Sequence, residues 1–166
     1  MTRSQTTRAP ARKHRDRQIE EIVHDPYLAR AKPPEPTACK SCGLVYQKGR
    51  WQRATAPAGA HEQVCPACHR IQDRNPAGYV TLQGSFGAAH AAEILALVRN
   101  EEAREASQHP LQRIMGVDAA ADATVVTTTD VHLARRIGDA LHAAFGGELD
   151  VKYSPDEYRV RVSWRR

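Results

Sequence analysis

From Gly78 onward, apolar residues recur with the periods of regular secondary structure. Residues 79–86, YVTLQGSF, alternate between apolar and polar positions and predict a strand whose apolar set faces a core. Residues 88–107 carry apolar side chains at helical spacing and predict an amphipathic helix. Two short apolar runs, 114–117 and 124–128, flank the turn sequence DAAAD and predict a hairpin.

A second helix and a closing hairpin follow. Thr129 or Asp130 can cap a helix whose apolar residues recur as far as the Gly146-Gly147 pair. Alternation on both sides of the turn sequence SPDE predicts two more strands. The order strand, helix, strand, strand, helix, strand, strand predicts an α+β, ferredoxin-like split βαβ domain with an extra C-terminal strand and both helices on one face of the sheet.

The first 77 residues lack this periodicity and divide into two segments. Residues 1–36 are polar, end in KPPEP and predict a basic flexible tail, with one short helix around Gln18 to His24, and a stiff proline linker. Residues 37–77 contain all four cysteines and few aliphatic side chains, so a unit of this size needs a staple. The predicted domains are therefore this tail, a zinc ribbon at 37–77 and the α/β domain at 78–166.

A turn near the end of the tail has a separate prediction. Asp25, Pro26 and Tyr27 are typical of a turn, and we expect this turn to dock onto the segment that follows it.

The cysteines have the spacing of a four-thiolate metal site. Two C-x2-C pairs, 22 residues apart, are formed by Cys39, Cys42, Cys65 and Cys68. Such pairs present four sulfurs as a tetrahedron, which suits a closed structural zinc ion. Gly43 follows the first pair, as the turn requires. His61 or His69 could replace one cysteine as a ligand. We expect Zn²⁺ as the cofactor.

The cysteines are compatible with three other uses. Disulfides suit a secreted protein, but the basic start is not followed by the apolar segment of a secretory signal. A thioredoxin-like pair opens a helix, which Pro36 before Cys39 and Gly43 after Cys42 do not favour. Iron in a rubredoxin-like site is the closest rival, because CGLVY and CPAC resemble its loops. Rubredoxins are acidic, whereas residues 37–77 hold 6 Lys/Arg and 2 Asp/Glu, and this favours zinc.

The charge distribution indicates an acidic partner. The chain has a formal net charge of +5, and the surplus lies in its front half. The cations that we predict to contact RNA phosphates beside the cysteines are Lys40, Lys48, Arg50, Arg53, Arg70 and Arg74. Of the neighbouring aromatic residues, Trp51 is predicted to be core, and Tyr46 to cover the metal site with it.

The last strand carries a second candidate surface. Arg159 and Arg161 alternate with apolar residues, so they should lie on the open face of the sheet near Tyr79. Such a face is typical of RNA-binding sheets. An ordinary solvated strand with edge charges is an equal alternative.

No feature predicts catalysis or a membrane. A closed four-sulfur site leaves no open ligand position, and the sequence has no GxSxG, P-loop or dinucleotide glycine pattern. We therefore expect a non-enzymatic protein without a small-molecule substrate. No apolar run approaches the ~20 residues that span a bilayer, so we expect a cytoplasmic protein with no membrane partner.

The ordered motifs resemble a known family. CKSCGLVY followed by GRW, CPAC, GYVTLQG and TTTDVHLARRIGDAL, over residues 37–153, is similar to the amino-terminal half of the nonsense-mediated-decay protein three family. Short bacterial-type relatives are described as ribosome stability and mRNA decay proteins. The resemblance implies binding to the large ribosomal subunit. This chain has only two cysteine pairs and lacks the barrel-like domains, so an export role is not implied.

Two functions follow as hypotheses. The first is a zinc-binding, RNA-binding protein that associates with the ribosome or rRNA. The alternative is a DNA-binding or protein-bridging zinc ribbon that acts in transcription.

Overall fold

The computed structural model describes residues 24–28, 31–120 and 122–166. Most of the predicted tail, including nearly all of the short helix around Gln18 to His24, lies outside these residues. Within them, every helix is too short or too polar to cross a membrane.

The cysteine-rich segment forms a small sheet and one short helix. Its elements are β1 (Thr37–Cys39), β2 (Val45–Gln47), β3 (Arg50–Gln52), β4 (His61–Gln63) and α1 (Pro66–Gln72). The strand order is β3-β2-β1-β4, with β1 and β4 parallel and the other neighbours antiparallel. Lys48 and Gly49 join β2 to β3 with positive φ at both positions, the geometry of a tight two-residue hairpin turn.

The predicted turn at residues 25–27 docks onto α1. The Tyr27 hydroxyl donates a hydrogen bond to Asp73 over 2.9 Å, and the Tyr27 ring packs edge-on against His69. This docking confirms the prediction for the turn.

The second segment is a five-stranded sheet with helices. Its elements are β5 (Gly78–Gln83), α2 (Ser85–Ala89), α3 (Ala91–Gln108), β6 (Ile114–Ala119), β7 (Ala123–Thr128), α4 (Val131–Phe145), β8 (Glu148–Tyr153) and β9 (Val160–Arg165). The α+β class and the order of the strands and the two long helices are as predicted, whereas the sequence pattern does not predict the short helix α2. Asp130 is the N-cap of α4, because its carboxylate accepts hydrogen bonds from the backbone of His132 and Leu133. Phe86, expected at the end of a strand, lies instead in the short helix α2.

The extra strand lies inside the sheet. The strand order is β6-β7-β5-β9-β8, and β5 and β9 are the parallel pair. The first helical crossover, β5 to β6 with β7 between them, matches the predicted split βαβ arrangement. The last strand, β9, is not appended at the edge but inserted between β5 and β8. This insertion places Arg161 directly beside Tyr79.

Helices α3 and α4 cover one face of this sheet. The core contains Ile94 and Val98 from α3, Ile137 and Leu141 from α4, and the fully buried Trp164 from β9, among others. The contact is tight where α4 crosses β9, because a Cβ placed on Gly138 would lie 2.5 Å from Val162 Cγ1. The opposite face carries the alternate, less buried residues of β5 and β9.

Candidate metal centre

The first cysteine pair lies on a tight turn after β1. The Gly43 N–H donates to the Cys39 carbonyl over 2.8 Å, and the Cys39 N–H donates to the Leu44 carbonyl over 2.7 Å. Gly43 has a φ of +75°, which glycine adopts without steric cost. The turn predicted from the glycine after Cys42 is therefore present.

The second pair opens helix α1. Cys65 is the N-cap, Pro66 occupies the first turn, and Cys68 follows one turn along. The Cys65 sulfur accepts from the Cys68 N–H over 3.5 Å, and the Cys39 sulfur accepts from the Cys65 N–H over 3.2 Å. The turn at Gly43 orients the sulfurs of the first pair, and the first turn of helix α1 orients those of the second pair. All four sulfurs therefore point toward one position.

The structure gathers all four sulfurs into one cluster. The Sγ atoms of Cys39, Cys42, Cys65 and Cys68 lie within 4.8 Å of one another, and none forms a disulfide. The sulfurs of Cys42 and Cys65 are 3.7 Å apart, close to the ~3.8 Å edge of a tetrahedron with zinc–sulfur bonds of about 2.3 Å. The donor set therefore fits a metal ion such as zinc. His61 and His69 are not members of this cluster.

Burial raises the pKa values of the buried thiols, whereas hydrogen bonds from backbone N–H groups lower them. Burial raises the pKa of Cys39, but N–H groups of Cys65, Ser41 and Cys42 outweigh it and lower that pKa to about 6. Burial and neighbouring thiolates raise the pKa of Cys65. A bound cation favours all four thiolates, so metal binding must release protons from this cluster.

Arg113 reaches the cluster from the other segment. It lies between α3 and β6, and its guanidinium nitrogens are 3.2 Å from the Cys42 sulfur and 3.5 Å from the sulfurs of Cys65 and Cys68. Burial opposes the charge of Arg113, but hydrogen bonds to Cys42 and Cys68 hold its pKa above the usual value. Zinc with four thiolates carries two net negative charges, and Arg113 offsets part of that charge.

Sequence reasoning missed Arg113. It lies 71 positions from Cys42, beyond any spacing motif, and no local pattern distinguishes it from other arginines.

Two aromatic rings cover the metal centre. Tyr46 and Trp51 face each other across β2 and β3, with ring centroids 5.5 Å apart. They are 5% and 8% exposed and pack in one cluster with Leu44 and three of the cysteines. The prediction that Trp51 is core and that Tyr46 helps to cover the site is confirmed.

Five of the six predicted phosphate-contacting cations of this segment are exposed: Lys40, Lys48, Arg50, Arg53 and Arg74. Arg70 is different, because it is 2% exposed. Its guanidinium pairs with Asp25, donates to the Asn75 carbonyl over 3.0 Å and lies 4.2 Å from the Tyr27 ring centroid. The structure therefore places Arg70 in the packing between the docked turn and α1, and not among the exposed cations.

The predicted sheet-face cations flank one aromatic ring. The guanidinium carbons of Arg159 and Arg161 lie 5.9 Å and 5.7 Å from the Tyr79 ring centroid. Arg161 is exposed. Arg159 is half-buried, where Glu157 and Asn75 hold two of its nitrogens. All three side chains lie on the face that α3 and α4 leave uncovered.

Comparison of the chain with family models, with curated proteins and with solved structures gives no match. The resemblance to the nonsense-mediated-decay protein three family therefore stays a prediction.

Proposed function

We propose that this chain is a non-enzymatic, zinc-stapled RNA-binding protein that associates with the ribosome or rRNA. The cluster of four sulfurs is the observation that carries the zinc part of this proposal. Four thiolates fill a tetrahedral zinc completely, so the ion has a structural role and no vacant position for substrate.

The arrangement of Tyr79, Arg159 and Arg161 supports RNA as the partner. An aromatic ring on a sheet face stacks on an unpaired base, and guanidinium groups beside it neutralise the adjoining phosphates. Unpaired bases are far more common in folded RNA than in duplex DNA. The exposed cations of the cysteine-rich segment add further positive charge for phosphate contacts.

The family resemblance and the composition of the chain both support ribosomal RNA as the partner. Ribosomal RNA offers dense phosphate together with unpaired loops and bulges. The net charge of residues 1–77, which hold 14 Lys/Arg and 7 Asp/Glu, suits such a surface.

Binding of a structured RNA to the zinc-loaded full chain tests the proposal. We expect the affinity to fall as salt is raised, and the double variant Arg159→Gln, Arg161→Gln to bind at least about tenfold more weakly, since it loses two phosphate or base contacts. The matched control, Arg99→Gln with Arg104→Gln, removes two exposed cations from α3 and should bind like the unchanged protein. Fluorescence anisotropy measures both.

Two results would count against the proposal. Absence of RNA binding at low salt, together with absence of the protein from ribosomal fractions, would overturn it. Tighter binding to duplex DNA than to structured RNA would favour the transcription alternative.

A further inference from the structure

A cleft separates the metal-centre segment from the loop after α3. Its volume is about 940 Å³, at the upper end of the roughly 300–1,000 Å³ typical of ligand sites, and it is open to solvent. Its lining includes Tyr46, Trp51 and Val64 of the cysteine-rich segment and the loop at 108–112. Domain boundaries are where such sites commonly lie.

The charged side chains of the cleft favour an anion. Lys32 and Arg50 line it, and both are exposed. The acidic lining residue, Asp130, is already engaged: one oxygen accepts from the His132 and Leu133 N–H groups and the other from the Tyr158 hydroxyl. A negatively charged ligand therefore meets two exposed cations and a carboxylate that accepts hydrogen bonds from other groups.

The flat side chains of the cleft favour a planar ligand. Tyr27 lines it, together with the exposed imidazoles of His69 and His109 and the largely buried Tyr46 and Trp51. Leu28, 55% exposed, adds apolar surface. Aromatic and imidazole rings of this kind stack on nucleobases.

One buried acceptor in the cleft wall lacks a donor. Gln112 lines the cleft, and its Oε1 atom is buried without a hydrogen-bond partner among the described parts of the chain. A buried polar atom without a partner is costly, and a rotation of the Gln112 side chain toward the cleft would let a bound ligand donate to it. The exocyclic amine of adenine, guanine or cytosine is a donor of the right kind.

We propose that this cleft binds one unstacked, amine-bearing nucleotide, with the base against its aromatic and imidazole side chains and Gln112 and the phosphate beside Arg50 and Lys32. The inference rests on the proposed RNA-binding function and deepens it, because it gives the RNA a single-base anchor distinct from the sheet face around Tyr79. Binding is reversible and involves no chemical step.

Calorimetric titration of the zinc-loaded full chain with AMP, and separately with ribose 5-phosphate, tests the cleft. We expect saturable AMP binding with a dissociation constant below about 1 mM and at least tenfold weaker binding of the baseless sugar phosphate, about the contribution of one stacked base. Quenching of Trp51 fluorescence should follow the same curve, since Trp51 lines the cleft.

Two variants with matched controls locate the ligand. Gln112→Met removes the acceptor at nearly constant length, and Arg50→Gln removes an exposed cation; each should weaken AMP binding roughly three- to tenfold. Gln72→Met and Arg99→Gln alter exposed residues outside the cleft lining and should leave AMP binding unchanged. Arg50 is exposed, so its replacement should leave folding unchanged. Arg50→Gln therefore tests the cleft even if Gln112→Met does not fold.

The outcomes separate this inference from the proposed function. Absence of saturable AMP binding, or AMP binding unaltered in Arg50→Gln and in folded Gln112→Met, overturns the cleft proposal whether or not RNA binds. AMP binding that follows the expected pattern in a protein that does not bind RNA sustains the nucleotide site and overturns the RNA function instead.

Discussion

Arg113 connects the α/β segment to the cysteine cluster of the preceding segment. Its guanidinium contacts three of the four cysteine sulfurs, its Nε donates to the Pro110 carbonyl over 3.0 Å, and its backbone N–H donates to the Thr129 hydroxyl over 2.8 Å. The metal centre is thus tied to the loop between α3 and β6. Outer partners of this type orient metal ligands and tune their affinity.

Replacing Arg113 should weaken metal binding. We expect Arg113→Met to reduce zinc affinity roughly 10- to 100-fold, because the thiolates lose their neutralising partner and its hydrogen bonds. Competition with a coloured chelator measures the change. Arg135→Met, which removes an arginine paired with Asp139 on the surface of α4, is the control. Equal zinc affinity in the two variants would show that Arg113 merely lies near the sulfurs.

At the scale of elements, the packing of α4 on β9 depends on one missing side chain. A Cβ at Gly138 would lie 2.5 Å from Val162 Cγ1 and 3.0 Å from Leu149 Cδ1, so α4 must shift to accept it. In α2, by contrast, a Cβ at Gly87 would have no heavy atom of the described residues within 4 Å, apart from its chain neighbours and its own helix backbone.

The two glycines make a matched pair of substitutions. Gly138→Ala should lower the free energy of unfolding by about 1–3 kcal/mol through overpacking, despite the higher helix propensity of alanine. Gly87→Ala should be neutral or should raise it by up to about 1 kcal/mol, because only the unfolded chain loses freedom. Urea denaturation of both variants measures the difference. A stabilising Gly138→Ala would contradict the close approach of α4 to β9.

Local signals predicted the elements but not their order in the sheet. The apolar repeat and the Asp130 cap predict α4 because both act within a few residues. Strand order is different: β9 could pair with β8 at the edge or enter beside β5, and alternation along the strand is the same in both cases. The insertion depends on packing of Val162 and Trp164 against α4 and its neighbours, which a linear pattern does not contain.

In the candidate site, too, features set by nearby residues are predictable from the sequence, whereas features set by tertiary contacts are not. The spacing of the four cysteines predicts their cluster, since each pair closes a short turn. Burial of Arg70 and recruitment of Arg113 depend on residues 45 and 71 positions away in the chain. The presence of an arginine or lysine in the sequence is therefore weak evidence that its charge is exposed on the surface.

At the scale of the whole molecule, the metal centre lies where the segments of the chain contact one another. The docked turn at residues 25–27 packs on α1, Arg113 reaches the sulfurs from the α/β segment, and the cleft with Gln112 lies between the two walls. Small units with few aliphatic residues depend on such a staple for stability. Loss of the metal should therefore disturb the cleft as well as the small four-stranded sheet.

Metal content of the purified full chain tests the central claim most directly. Native mass spectrometry should find one zinc ion per chain in a colourless preparation, and Cys65→Ser, which removes a fully buried ligand, should lose it. A metal-free chain whose mass is lower by four hydrogens, as two disulfides require, would contradict the account. So would a coloured preparation that contains iron in place of zinc.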